Sequence, residues 1–295
     1  MPHFQLVWQQ AAVLATIFAA VGVLAPPVLR RRPVGRRRWF EIVTAGAREG
    51  AVVMVLFTIW QLAAGLALTK VAGAFDRAHT ILRIESWLPL PTELTVQHWV
   101  LPHPELVKAM NTFYLYVHIN SITIFLIWLF VRHRDHYPWA RNTLVLLTAP
   151  CLLIQMIPVA PPRMLTNLGF VDTANLYGQS IYGPFGSGMA DQLSAMPSVH
   201  VGWALLIAVV VIKVSTSRWR WLILAHPAVT IIVVVATANH FWLDGIVAAG
   251  ILALALPAAT LAETWLAPRR GATGSQPQPA PALDAPSPDR AKVVQ

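Results

Sequence analysis

Charged residues and cysteine are both scarce in this chain. Only 12% of its 295 residues are Asp, Glu, Lys or Arg, 56% are hydrophobic, and the mean hydropathy is +0.56. Because a soluble domain carries about twice that share of charge, the composition excludes an ordinary soluble domain and indicates an integral membrane protein. The single cysteine, Cys151, cannot form a disulfide within one chain, and we interpret it as a small buried apolar residue.

Apolar segments long enough to cross a bilayer recur along the chain. They predict an all-α, polytopic transmembrane bundle with about seven spans, near residues 6–28, 50–70, 108–131, 142–160, 198–213, 219–238 and 245–266. No Lys or Arg precedes the first segment and several arginines follow it. We therefore predict a retained helix there and not a cleaved secretory signal.

The formal charge of +9 is distributed by membrane side. Most of the 22 Lys and Arg follow the first, third, fifth and seventh predicted spans. By the positive-inside rule these regions are cytoplasmic, which predicts an outside N-terminus and a cytoplasmic C-terminus in the plasma (inner) membrane. The basic character is thus explained by topology, and nucleic acid is not expected as a partner.

The spans divide the chain into three predicted parts. Residues 1–49 hold the first span and a basic cytoplasmic loop, residues 50–268 form the transmembrane catalytic domain, and residues 269–295 form a disordered cytoplasmic tail rich in Pro, Ala and Gln. Within the domain, proline pairs in segment 73–106 predict one or two short helices along the outer surface. The glycine-rich stretch 161–195 predicts an outer loop able to act as a lid.

Two histidines stand out as candidates for chemistry. His200 and His240 are separated by about 40 residues, the length needed to cross a bilayer, turn and return to the same side. Asp244 follows His240 by four residues, so on a continuous helix both lie on one face. A carboxylate in that position fixes the tautomer of the ring and leaves its other nitrogen free as a nucleophile. A purely structural pair is the alternative interpretation.

Residues before and around His200 suggest a phosphate site. Pro197 and Ser198 favour a helix start, where unpaired N–H groups, including that of Val199, and the Ser198 hydroxyl would cradle a phosphate. His200 would then deliver a proton to a leaving oxygen. An ordinary helix start explains the same residues equally well. Arg163, at the end of the fourth predicted span, offers a planar fork for phosphate, although a single arginine there commonly extends to the bilayer surface.

Polar residues also recur at helical spacing on the third predicted span. Asn111, Tyr114, His118 and Ser121 form a stripe on its outer half. A polar stripe facing lipid is unfavourable, so we predict that these residues face the bundle and line the pocket. Hydrogen bonding between helices would account for the stripe equally well.

The order Pro-Ser-x-His followed by His-x3-Asp resembles the second and third motifs of the type 2 phosphatidic acid phosphatase superfamily, over roughly residues 105–266. The resemblance implies a six-helix core and metal-independent chemistry without a cofactor, in which His240 forms a phosphohistidine, Asp244 orients it and His200 protonates the leaving group. Relaxed motifs, with Val199 in place of glycine and Pro-Pro-Arg-Met around Arg163, are more similar to the inositol phosphorylceramide synthase-like branch, whose members transfer a phosphoinositol headgroup.

Taken together, these features predict a membrane phosphotransferase or phosphatase that acts on a lipid phosphate ester at the extracytoplasmic side, with water or an alcohol as acceptor. Two alternatives remain open. One is a metal-dependent membrane hydrolase in which the two histidines and Asp244 bind zinc or another transition metal. The other is an ion-coupled transporter that uses the same ionisable residues as a relay, although no inverted repeat supports it.

Overall fold

The computed structural model describes residues 8–29, 34–67, 72–179 and 192–266. Helices dominate these residues, and the only β-type pairing among them is an isolated bridge between Val159 and Ser194. The prediction of an all-α helical bundle is confirmed. The predicted disordered tail, and the part of the predicted lid over residues 180–191, lie outside the described residues.

The described residues form ten α-helices, joined in places by short 3-10 turns. They are α1 (Trp8–Leu29), α2 (Val34–Ala67), α3 (Ala74–Glu85), α4 (Glu93–Val100), α5 (Pro104–Arg132), α6 (Tyr137–Gln155), α7 (Thr173–Leu176), α8 (Val199–Val214), α9 (Ala225–Ala236) and α10 (Trp242–Leu266).

Four stretches of described helix are long and apolar enough to cross a membrane. They are Phe40–Ile59, Pro104–Arg132, Arg218–Ala236 and Trp242–Trp265. Two shorter apolar stretches, Trp8–Leu24 and Val199–Val214, accompany them. The chain is therefore a multi-pass membrane protein, whereas the count of seven spans and their orientation stay predictions.

Helix α2 differs from the expected boundary between a basic loop and the second span. It begins at Val34, so most of the residues assigned to a loop up to position 49 are helical. Arginine and glutamate are good helix formers, which lets an apolar helix continue through a charged segment. Arg141 of α6 forms an ion pair with Glu49, and this pair connects the α1–α2 hairpin to the rest of the bundle.

The main core lies between α5, α6, α8 and α10, whose buried side chains form one apolar cluster. Gly202 allows these helices to approach closely. A Cβ atom at this position would lie 3.3 Å from Leu147 of α6 and 3.6 Å from Ala248 of α10. The start of α8 is therefore held tightly against both neighbouring helices.

The segment predicted to be interfacial contains the short helices α3 and α4. Thr92 caps α4, because its hydroxyl accepts a hydrogen bond from the Thr95 N–H at 3.2 Å. Buried residues of α3, including Ala78 and Ile81, pack with Phe241 and with the chain that follows α6. Both short helices thus contact the end of the bundle at which α8 and α10 begin.

Candidate active site

The predicted catalytic residues converge at this end of the bundle. His200 lies in the first turn of α8, Asp244 lies in the first turn of α10, and His240 lies in the turn between α9 and α10. The Ser198 N–H donates to the backbone oxygen of Asp244 at 3.1 Å, which joins the two helix starts. The rings of His200 and His240 have centroids 5.4 Å apart.

His240 and Asp244 meet through a turn and not along one continuous helix, because α10 begins only at Trp242. The residue that makes the turn is Ala238, with a φ of 54°. Asp244 is the third residue of α10, and its Oδ2 accepts a hydrogen bond from the Phe241 N–H at 2.8 Å. This arrangement corresponds to half of a capping box, so the carboxylate fixes the helix start and the histidine together.

The hydrogen bonds of His240 define its tautomer. Its Nδ1 lies 2.7 Å from the backbone oxygen of Ala195 and 3.2 Å from Oδ2 of Asp244. A carbonyl oxygen and a carboxylate can only accept, so Nδ1 carries the proton and the lone pair of the neutral ring is on Nε2. Among the described residues, the buried Nε2 has no hydrogen-bond partner. This geometry leaves a nucleophilic nitrogen unoccupied.

His200 is held between two aromatic rings of α5. The ring of Tyr114 stacks on it with a centroid distance of 4.4 Å, and the ring centroid of His118 lies 4.0 Å from that of His200. His118 in turn stacks on Trp203 at 4.6 Å, with the two rings nearly parallel. These contacts fix the ring plane of His200 without using hydrogen bonds, which leaves its nitrogens available to a substrate.

A narrow cavity extends from this stack into the bundle between α5, α8 and α9. Tyr114, His118 and His200 line it, and Thr230 and His226 lie along its α9 wall. Asn111, from the same polar stripe, is not part of the lining. It is buried, accepts a hydrogen bond from Thr173 at 3.0 Å and donates one to Gln179 at 3.1 Å, so it connects α5 to α7 and the residues that follow it.

Ser198 and Val199 form the start of α8. The Ser198 hydroxyl oxygen accepts from the Val201 N–H at 3.4 Å, so the fully buried side chain is a helix cap in this structure. The N–H groups of Val199 and His200 belong to the first turn and have no acceptor within the helix. They lie next to the His200 ring, where a helix start attracts anions.

Arg163 is buried, with 4% of its surface exposed, and it does not extend towards the bilayer surface. Its backbone N–H donates to Ala238, and its Nε donates to Asn239, the residue before His240, at 3.0 Å. Its Nη1 contacts the Asp172 carboxylate and the Gln192 amide oxygen, each at 3.0 Å. The guanidinium is therefore fixed to the turn that carries His240 and neutralised by an acid of the connection between α6 and α7.

Several residues of this site escaped the sequence-based prediction. Asp172, Gln192 and Asn239 belong to irregular segments, where no periodic pattern indicates which side chains are buried. Glu93 was also missed as a site residue, and the sequence favours a role for Glu85 on an amphipathic surface, whereas both are buried beside the start of α10. An acid in the first turn of α4, after a Thr cap, signals only a helix start.

Within the described residues, no group of three or more His, Cys, Asp or Glu side chains has the geometry to hold a metal ion. His240 Nδ1 and Asp244 Oδ2 face each other and do not converge on a common point with His200. The geometry therefore does not favour the metal-binding alternative.

Comparison with protein families connects this geometry to a known group. The family model of the PAP2 superfamily matches residues 79–258, more than half of the chain. The chain belongs to the PAP2 superfamily. The matched region runs from α3 into α10 and contains His200, His240, Asp244 and Arg163. Comparisons with curated proteins and with solved structures find no match.

Membership of the PAP2 superfamily supports a phosphatase-type enzyme that acts on phosphate esters. The multi-pass fold places this chemistry in a membrane protein.

Proposed function

We propose that the protein is a lipid-phosphate phosphotransferase or phosphatase that works through a phosphohistidine on His240, at the extracytoplasmic side of the membrane. The observation that carries the proposal is the unpartnered Nε2 of His240, opposite an Nδ1 held by two acceptors. Family membership supports the same chemistry independently.

In the first step, the Nε2 lone pair of His240 attacks phosphorus and the bond from phosphorus to the ester oxygen breaks. His200 donates a proton to the departing oxygen, so the leaving group departs as a neutral alcohol. Asp244 retains the hydrogen bond to Nδ1 and stabilises the positive charge that the phosphorylated ring carries. Ala195 supplies a second, uncharged acceptor to the same nitrogen.

In the second step, water or an alcohol attacks phosphorus while neutral His200 takes its proton. The bond from phosphorus to Nε2 breaks, which restores both histidines to their starting states. Stacking of His200 between Tyr114 and His118 supports this double role, because one fixed ring must serve both half-reactions.

Three groups are suited to hold the phosphoryl oxygens. The N–H groups of Val199 and His200 and the helix dipole of α8 provide fixed partial positive charge. The hydroxyl hydrogen of Ser198 can add a donor, since its oxygen already accepts from Val201. Arg163 can contribute its fork if the phosphate replaces the Asp172 carboxylate, which has the same charge sign and similar geometry.

The acceptor distinguishes hydrolysis from headgroup transfer. Relaxed motifs similar to the inositol phosphorylceramide synthase-like branch favour an alcohol acceptor. A metal-free assay of purified protein with a panel of lipid phosphates, recording both released phosphate and exchanged headgroup, separates the two reactions.

The central test is the substitution His240→Ala in purified, reconstituted protein. We expect loss of turnover and of covalent phosphate capture, whereas wild-type protein should trap label that is stable in base and labile in acid. His98→Ala, which replaces an exposed histidine of α4, serves as the matched control and should behave as wild type. Retained turnover in a folded His240→Ala variant would end the proposal.

The same preparation tests the two alternatives. Activity that survives a strong chelator contradicts the metal-dependent hydrolase. Solute flux across liposomes without any phosphate-ester turnover would favour the transporter.

A further inference from the structure

Two buried carboxyl groups from α3 and α4 contact the first residues of α10. Glu93 is 1% exposed and Glu85 is 8% exposed. The Oε1 of Glu85 accepts from the Leu243 N–H at 2.6 Å, and the Oε1 of Glu93 accepts from the Trp242 N–H at 3.1 Å. Two of the N–H groups that a helix leaves unpaired at its start are thus satisfied by acids from distant segments.

The third donor at this helix start is also taken by an acid. Phe241 donates to Asp244, so three consecutive N–H groups, of Phe241, Trp242 and Leu243, bind three carboxyl groups. The Trp242 indole N–H additionally donates to the Pro91 carbonyl oxygen at 2.9 Å, in the connection between α3 and α4. The turn that carries His240 is therefore anchored directly to the interfacial helices.

The balance of charge around Glu85, Glu93 and Asp244 limits how many of these three carboxyl groups can be ionised at once. Within the part of the chain that the structure describes, no Lys or Arg forms an ion pair with Glu85 or Glu93. The helix dipole compensates about half a charge, far less than three carboxylates would require. The ionisable groups that face Glu85 are Glu93 of α4 and Asp244 of α10. Burial, followed by the proximity of the Glu93 carboxyl group, raises the pKa of Glu85 to about 9.

We propose that Glu85 and Glu93 are positioning residues for the His240–Asp244 pair, and that a proton held on Glu85 keeps the cluster from adding a further negative charge next to Asp244. This inference rests on the proposed function, because it assigns the cluster a role only through those two catalytic residues. Loss of the proton would place a charge near the phosphate site, which would repel an anionic substrate and the neighbouring carboxyl groups of Glu93 and Asp244.

The inference predicts an alkaline decline in kcat/KM of the wild-type protein that depends on Glu85. In Glu85→Gln the amide oxygen can still accept from Leu243, but nothing titrates, so we expect the decline to disappear while activity persists at pH 7. In Glu93→Gln the charge that raises the proton affinity of Glu85 is removed, so we expect the decline to move to lower pH.

The experiment is a pH profile of phosphate-ester turnover from pH 6 to pH 10 for wild type, Glu85→Gln, Glu93→Gln and Asp76→Asn. Asp76→Asn removes an exposed carboxyl group on α3 and should leave the wild-type profile. A thermal unfolding curve at each pH identifies variants that fail to fold, and the Glu93 variant keeps the test open if the Glu85 variant does not fold.

Activity lowered by one constant factor at every pH in both Gln variants would overturn the inference and indicate a purely structural cap. A decline identical to that of wild type in both variants would also overturn it. Neither outcome affects the proposed function as long as His240→Ala remains inactive. Turnover in His240→Ala would instead contradict the proposed function, whatever the shape of the profiles.

Discussion

Replacing Asp244 by Asn tests how the His240 tautomer is held. The exchange conserves volume and keeps an oxygen that can accept from the Phe241 N–H. It removes the negative charge opposite Nδ1. In this structure Nδ1 also lies 2.7 Å from the Ala195 carbonyl oxygen, a shorter contact than the 3.2 Å to Asp244. The variant therefore keeps one strong acceptor for the Nδ1 proton.

The Ala195 carbonyl, as the second acceptor, determines how large a loss of activity we expect from Asp244→Asn. In serine protease triads, the equivalent Asp-to-Asn change costs about 10⁴-fold in kcat because the histidine adopts the wrong tautomer. Here Ala195 preserves the tautomer, so the loss is mainly that of a charged hydrogen bond to the phosphorylated ring. Such a bond contributes about 1.5–3 kcal/mol, which corresponds to a decrease in kcat/KM of about 10- to 150-fold.

The assay is kcat/KM together with the rate of phosphoenzyme formation in a single turnover, with Asp135→Asn, at an exposed acid between α5 and α6, as control. A loss as large as that of His240→Ala would refute the role assigned to the Ala195 carbonyl. Wild-type kinetics would refute the role of Asp244. Asp244→Ala should lower kcat/KM further than Asp244→Asn does. It should also lower the free energy of unfolding by about 1–3 kcal/mol, because the buried Phe241 N–H loses its acceptor.

Three further predictions concern stability and topology. As pH rises from 4.5 towards 9, wild-type protein should lose thermal stability relative to Glu85→Gln. The raised pKa of Glu85 makes the folded state bind more protons than the unfolded chain in this range. Parallel curves of stability against pH for the two proteins would contradict this prediction. Gly202→Val should lower the free energy of unfolding by about 1–3 kcal/mol, because the added Cβ would lie 3.3 Å from Leu147 and 3.6 Å from Ala248. An unchanged midpoint of thermal unfolding would contradict the tight packing. In a Cys151→Ala background, an impermeant thiol reagent applied to whole cells should label Asn167→Cys and spare Asp135→Cys, and the reverse pattern would invert the predicted orientation.

The predicted site residues lie at or near the ends of predicted membrane spans. The spacing predicts that His200 and His240 lie on the same side of the membrane, and Arg163 ends the fourth predicted span. The structure brings all three segments to the same end of the bundle. Which compartment this end faces stays a prediction until the labelling experiment is done.

Helical periodicity explains why part of the site could be predicted. Tyr114 and His118 are four residues apart on a long apolar helix, so the sequence indicates that they share a face and that this face is buried. The structure places both against His200. The same reasoning included Asn111, which shares the stripe but contacts the outer loop, because position on a face does not specify the partner.

The sequence by itself determined the membrane-embedded helical architecture, the family, and the pairing of a histidine with an aspartate four residues later. These features depend on composition and on local spacing, although His240 and Asp244 meet through a turn before α10 and not along one continuous helix. Only the tertiary structure decided that Ala195 holds His240 Nδ1 from 45 residues away, that Asp172 neutralises Arg163, and that Glu85 and Glu93 cap α10. The contacts of Ala195, Glu85 and Glu93 each join an N–H group to an acceptor from a segment distant in sequence, and the packing of the segments selects that acceptor. Asp172 is only nine residues from Arg163, but both lie in irregular chain, where no periodic pattern indicates which side chains meet.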